Sequence, residues 1–312
     1  MPFDALRSAV DSAVSPAVSS AASSSSETLG SSAPVAIFDS GLGGLSVLRA
    51  VRAALPDERL IYVADSLYAP YGERDDDFIA DRTLAIGEWL VSQGAKTLVV
   101  ACNTATSQSI AQTRERLPIP VIGVEPGIKP AALTSQTRVV GVLATAVTLR
   151  STRFQALAER HTSDCHFILQ AGHGLVQAVE RCDTNSPELV ALLRSYVQPM
   201  LDANADTLVL GCTHYPFLDE AIRSISGDRL TLIDTSIAIA RQLERQLDSF
   251  GLRAVPRLDQ AQAQAVELPR FYSTSDGQAL RQLAASLLGL DVAVEHVVIP
   301  SRRTVGPESD PA

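Results

Sequence analysis

Apolar residues fall along this chain in short continuous runs separated by longer amphipathic stretches, but only from Pro34 onward. The runs predict strands at 35–39, 60–65, 97–101, 121–124, 139–143, 167–170, 207–210, 230–233, 270–273 and 294–299. Unbroken apolar strands of four to six residues suit a parallel sheet covered on both faces. Between them, the amphipathic pattern predicts helices over 45–54, 75–92, 105–117, 187–202, 216–224 and 237–250. Asp75, Asp76 and Asp77 suit a helix start, where negative charge meets the positive end of the dipole. Pro216 suits a first helical position. Alternation of β and α elements indicates an α/β fold.

The pattern also repeats. Ala95-Lys-Thr-Leu-Val-Val-Ala-Cys102-Asn-Thr resembles Ala205-Asp-Thr-Leu-Val-Leu-Gly-Cys212-Thr-His at an offset of 110 residues. At that offset the run 121–124 falls on 231–234, and 35–39 has a looser counterpart at 140–144. Each half thus sets a cysteine just after an apolar strand and just before a helix. The expected fold is two pseudo-symmetric open parallel-sheet domains, helices on both faces, with the active site in the cleft between them. The first domain is expected to take residues 34–128 and a returning segment, 235–300; the second takes 129–234. Residues 1–33 are rich in Ser and Ala and read as a disordered tail with a short helix near 3–14; residues 301–312 read as a flexible tail.

Composition narrows the chemistry. The 312 residues suffice for two domains with full cores, and 46% hydrophobic with 20% charged residues is ordinary for a soluble enzyme. A net charge of −9 argues against a nucleic-acid groove, which needs a clustered positive field. It also means that any site for an acidic substrate must be built locally. The N-terminus lacks a secretion signal's basic start and long apolar stretch, and no run of 18 apolar residues predicts a membrane span. A cytoplasmic location is expected. The four cysteines, Cys102, Cys165, Cys182 and Cys212, form no Cys-x-x-Cys pair and are expected as free thiols. Lys96 and Lys129 are the only lysines, and neither sits in a motif for pyridoxal attachment. Gly41-Leu-Gly43-Gly44 opens like a dinucleotide fingerprint but has Ser46 where the third glycine belongs. His161, Cys165 and His166 lack a second cluster that would make a metal site. No metal and no cofactor is expected.

Two thiols at the carboxyl ends of strands, in facing halves, suggest proton transfer. Open α/β sheets bind ligands at that edge. A following helix start favours negative charge and would lower a thiol's pKa. One thiol could take a proton from one face of a carbon while the other delivers a proton to the opposite face. That is what inversion at carbon requires. Asn103, Thr104 and Thr213 offer polar groups beside the thiols, His214 follows the second, and Asp39 ends the first strand. The glycines after Ser40 would let the backbone approach a ligand closely.

Five stretches then carry a family resemblance: Phe-Asp-Ser-Gly-Leu-Gly-Gly-Leu (38–45), Ala-Asp-Ser-x-Tyr-Ala-Pro-Tyr-Gly (64–72), Ala-Cys-Asn-Thr-Ala (101–105), Gly-Val-Glu-Pro (123–126) and Gly-Cys-Thr-His-Tyr-Pro (211–216). From about Val35 to Ile299 the chain resembles the glutamate racemases of the aspartate/glutamate racemase family. The resemblance implies cofactor-independent exchange of L- and D-glutamate, with D-glutamate supplied to peptidoglycan. It implies Cys102 and Cys212 as the acid/base pair, assisted by Asp39, His214 and Glu180. It implies substrate contacts from Asp39, Ser40, Tyr71, Gly72, Asn103, Thr104, Thr145, Thr148, Thr213 and His214, and a homodimer. Competing readings are a racemase for aspartate or a related acid, a thiol redox enzyme, and a binding protein that inhibits another enzyme. The 110-residue separation of the cysteines and the lack of a resolving pair weigh against redox chemistry.

Overall fold

The computed structural model describes residues 30–163, 165–255 and 268–301. The reading of residues 1–33 as a tail with a short helix lies, up to residue 29, outside the described residues, as does that of 302–312.

In the first sheet run β1 (Val35–Asp39), β2 (Leu60–Ala64), β3 (Thr97–Val100), β4 (Val121–Gly123), β9 (Arg270–Ser273) and β10 (Val294–His296), in the order β10-β9-β2-β1-β3-β4. The second holds β5 (Val139–Ala144), β6 (His166–Ala171), β7 (Thr207–Gly211) and β8 (Thr231–Ile233), in the order β6-β5-β7-β8. Every pairing is parallel. The predicted α/β class with two open parallel sheets is therefore observed. The repeat is one of topology as well: β2-β1-β3-β4 and β6-β5-β7-β8 are the same arrangement drawn twice.

Period-two side-chain alternation divides each sheet's core in two. Val35 and Ile37 face α1 (Leu45–Ala54) and α10 (Ser236–Ser249); Ala36 and Phe38 face α2 (Asp76–Ser92) and α3 (Asn103–Arg116). In the second sheet, Leu208 and Leu210 face α7 (Leu175–Glu180) and α8 (Pro187–Asp202), whereas Val140 and Val142 face α4 (Ile128–Thr134) and α6 (Thr152–Glu159). All residues of β1, β2, β3 and β7 are buried, as double coverage demands. Helix α4 already packs in the second core, and α10 packs on α1 in the first, so the chain leaves the first sheet after β4 and returns after β8.

Three predicted elements differ. The helix expected at 216–224 is a 3-10 turn, Tyr215–Leu218, followed by α9 (Asp219–Ser226). The strand expected to reach Ile299 stops at His296. Helix α3 begins at Asn103, two residues early, because Cys102 itself caps it. Short helices α4, α5 (Ala146–Arg150), α6 and α7 lie outside the predicted set and follow from packing on the sheets; the later α11 (Gln278–Leu288) lies outside it too, although its apolar residues Leu280, Leu283, Ala284 and Leu287 recur at helical spacing. No helix among the described residues is long and apolar enough to cross a membrane.

Candidate active site

Parallel strands deliver their last residues to one edge of each sheet. At that edge lie Asp39 at the end of β1, Cys102 after β3, Thr145 after β5 and Cys212 after β7. All four are buried.

Around the first thiol, the Cys102 Sγ lies 3.3 Å from Ser40 Oγ and accepts from the Ala105 amide at 3.4 Å, which makes Cys102 the N-cap of α3. The expected low pKa is not found. Burial, then the Asp39 charge, pushes this thiol up to about 12, against the opposing hydrogen bonds from Ser40 and Ala105. Desolvation of a fully enclosed sulfur outweighs the helix start. Cys212 also contributes to the rise, so the two sulfurs lie within electrostatic reach.

Around the second thiol, Cys212 Sγ lies 3.7 Å from His214 Nδ1, and His214 Nε2 lies 2.5 Å from Glu180 Oε1. Burial disfavours the imidazolium. Hydrogen bonds and charge from Cys212 and Glu180 outweigh it and raise His214 well above its ordinary value. An imidazolium can donate from both nitrogens, one toward the sulfur and one to the carboxylate.

The two halves meet through these groups. Thr213 donates to Asp39 Oδ2 at 3.0 Å, while Asp39 Oδ1 accepts from Gly41 N at 2.9 Å. The Leu42 amide donates to Glu180 Oε1 at 2.7 Å. Burial raises Asp39 above the usual carboxylate range, against the pull of His214, Gly41 and Thr213. Across the cleft, Thr104 and Thr145 hydroxyls are 2.9 Å apart, and Thr145 donates to Thr148 Oγ1 at 2.9 Å. Asn103 Nδ2 reaches Val124 O at 3.5 Å.

The glycine run, expected to allow close approach to a ligand, also makes room for neighbouring side chains. A Cβ on Gly41 would strike the Glu180 carboxylate, and one on Gly43 would strike His214 and Thr213 Oγ1. A Cβ on Gly44 would lie 2.7 Å from Asp39 Cβ. Gly41 and Gly43 let the polar groups of the second half close onto the first. Gly72 likewise faces Thr145, whose Cβ would be 3.2 Å from an added methyl. Tyr71, expected at the ligand, donates its phenol hydroxyl to Asp65 at 2.5 Å.

Sequence reasoning missed Tyr62, whose hydroxyl holds Gly41 O at 2.8 Å, and Ser46, which bonds Gly43 O at 2.9 Å and Thr213 O at 3.3 Å. Tyr62 lies inside an apolar strand and Ser46 inside a helix, so neither stands out by pattern. Cys165 packs in the second core with its thiol toward Ala132 O. Among the described residues, no three His, Cys, Asp or Glu side chains gather as metal ligands.

The family model for Asp/Glu/Hydantoin racemase matches residues 45–243. The chain is 60% identical over 262 residues to the glutamate racemase of Ralstonia pickettii, covering 84% of this chain and 90% of that one. It is 53% identical to that of Cupriavidus pinatubonensis, covering 86% and 96%. Among solved structures, glutamate racemase isoform RacE1 of Bacillus anthracis superposes with a TM-score of 0.75 at 29% identity, covering 86% of this chain and 99% of that one. Escherichia coli glutamate racemase, solved with L-glutamate and an activator, gives 0.74 at 30% identity, covering 86% and 100%. With a matching family model, relatives covered nearly end to end and both sheets reproduced, the chain belongs to the Asp/Glu/Hydantoin racemase family.

Proposed function

We propose that this protein interconverts L- and D-glutamate by passing the α-proton between Cys102 and Cys212, with no cofactor. One observation carries the reading: two buried thiols, one from each repeated half, reach a single polar network from opposite sheets. Removal of a proton on one face and delivery on the other inverts the carbon. In the substrate-free protein Cys102 holds its proton and is set to donate. An α-ammonium arriving beside Cys102 and Asp39 would favour its ionisation, since a nearby opposite charge stabilises the thiolate. His214, kept cationic against Glu180, is set to donate to the Cys212 sulfur as charge develops there.

Asp39 and His214 thus assist one thiol each, and Glu180 fixes His214. Substrate carboxylates and the ammonium would meet Ser40, the Tyr71–Gly72 turn, Asn103, Thr104, Thr145, Thr148 and Thr213. Specificity for glutamate over aspartate is supported by the relatives at 60% and 53% identity. The reading includes a cytoplasmic homodimer that supplies peptidoglycan synthesis, as the sequence resemblance implies. Purified protein in deuterated water with L-glutamate and no added cofactor tests it. Loss of the α-proton signal together with D-glutamate is expected. Exchange and inversion of aspartate but not glutamate would overturn the substrate assignment.

A further inference from the structure

Asp65 and Arg82 have no part in the chemistry above, yet both are fully buried. Arg82 Nη2 donates to Asp65 Oδ1 at 2.7 Å and Nε to Oδ2 at 3.0 Å. The Tyr71 hydroxyl takes the same Oδ2, and Arg82 Nη1 reaches Ile299 O at 2.5 Å. The guanidinium also stands 4.5 Å from the Tyr68 ring centroid. A buried ion pair is a weak device for stability, because desolvation offsets its attraction. Its directional bonds do fix geometry.

What they fix is a wall of the cleft. The Asp65 amide donates to Asp39 O at 3.0 Å, so the pair begins at the edge that carries Asp39. Two 3-10 turns come next in the chain, Ser66–Tyr68 and Tyr71–Glu73. In the first of them Leu67 is 59% exposed and no residue is fully buried, and Tyr68 alone packs partly on the core. The second presents Gly72 to Thr145.

We infer that Asp65 and Arg82 are positioning residues for substrate binding: through the Tyr71 hydroxyl they hold the Tyr71–Gly72 turn against Thr145, and through Ile299 O they tie the segment that follows β10 to it. The inference rests on the substrate reading of that turn. Tyr71 then acts by its backbone, and its phenol is the tether. Burial and the neighbouring Asp65 raise the phenol well above its ordinary pKa, so it remains a donor at working pH.

The test uses the full chain with Tyr71→Phe, Asp65→Asn, Arg82→Lys and Arg82→Gln. Tyr71→Phe leaves the ion pair whole and guards against variants that fail to fold. For glutamate, Tyr71→Phe should raise KM about 5- to 10-fold with kcat within about twofold, as loss of uniform binding does. Arg82→Lys should recover part of what Arg82→Gln loses. Amide exchange should quicken in 66–75 and 297–301 and stay unchanged elsewhere. A folded Tyr71→Phe protein with unaltered KM, or exchange that rises evenly over the whole chain, would overturn the inference. If the wild-type protein leaves glutamate untouched, the functional reading falls. The exchange pattern then decides the positioning claim by itself.

Discussion

The two halves share a strand order but part company just past their third strands. After β3, Cys102 caps a 14-residue helix and has Ser40 and the carboxylate of Asp39 for neighbours. After β7, Cys212 opens a tight turn ahead of the 3-10 segment Tyr215–Leu218, which brings His214 Nδ1 to 3.7 Å from the sulfur, with Glu180 behind it. One thiol therefore faces an anion and the other a cation-forming ring. The sheet supplies two equivalent places, and the residues just beyond the strands make them chemically unlike. Such a pair suits a reaction whose two substrates are mirror images bound in one asymmetric cleft.

Removing either thiol breaks the comparison outright and should have the largest effect. Cys102→Ala and Cys212→Ala should each lower racemisation at least about 10³-fold. Each retains one base on one face, so each should still wash out the α-proton of one enantiomer with retention. The two variants should choose opposite enantiomers, read by proton NMR in deuterated water. Washout of the same enantiomer by both would mean that the thiols do not flank the carbon.

His214→Asn sharpens the contrast. Enantiomers have equal free energies, so the variant must lower kcat/KM equally in both directions, here by roughly 10²-fold. The asymmetry should emerge in the primary isotope effects with α-deuterated substrates. The effect should grow for the enantiomer that Cys212 deprotonates and stay put for the other. Equal growth in both would show that His214 does not belong to one thiol. Gly41→Ala should act more gently, about 10-fold on kcat. Its methyl displaces the Glu180 carboxylate from His214, at a stability cost on the order of 1–3 kcal/mol from overpacking.

Much of this was legible in the chain. Apolar runs located the strands, since burial on both faces leaves no alternative pattern, and the Cys102/Cys212 repeat exposed the doubled topology. Asp39, Cys102, Cys212 and His214 stood out because polar groups directly succeed apolar strands. Other features were hidden by their physics. The protonation of Cys102 depends on complete desolvation, which no local pattern records. Asp65 and Arg82 are 17 residues apart and meet only once α2 folds back across β2. Tyr62 reads as core, and only its hydroxyl partner reveals more.

The smallest predicted effect concerns stability, and it tests the unlike thiols without any substrate. Folding lifts Cys102 from 9.0 to about 12, so the folded chain keeps a proton that the unfolded chain gives up. A raised pKa stabilises fully below the unfolded value and is lost as pH climbs toward the folded one. Between pH 8 and 10 the wild-type protein should therefore lose about 1.4 kcal/mol through this one group. His214, also raised, declines in the same direction once pH passes its unfolded value of 6.5. The buried phenols of Tyr62, Tyr71 and Tyr215 are raised as well, chiefly by burial; they stay protonated in the folded chain of wild type and variant alike, so their unfolded-state ionisation cancels in the difference. Denaturant unfolding at pH 8 and pH 10 should thus show a shallower loss for Cys102→Ala than for wild type, whatever the variant's absolute stability. Equal losses would mean that the fold does not hold the Cys102 proton. The first thiol would then be no better prepared to donate than an exposed cysteine, and the difference between the halves would lie in His214 alone.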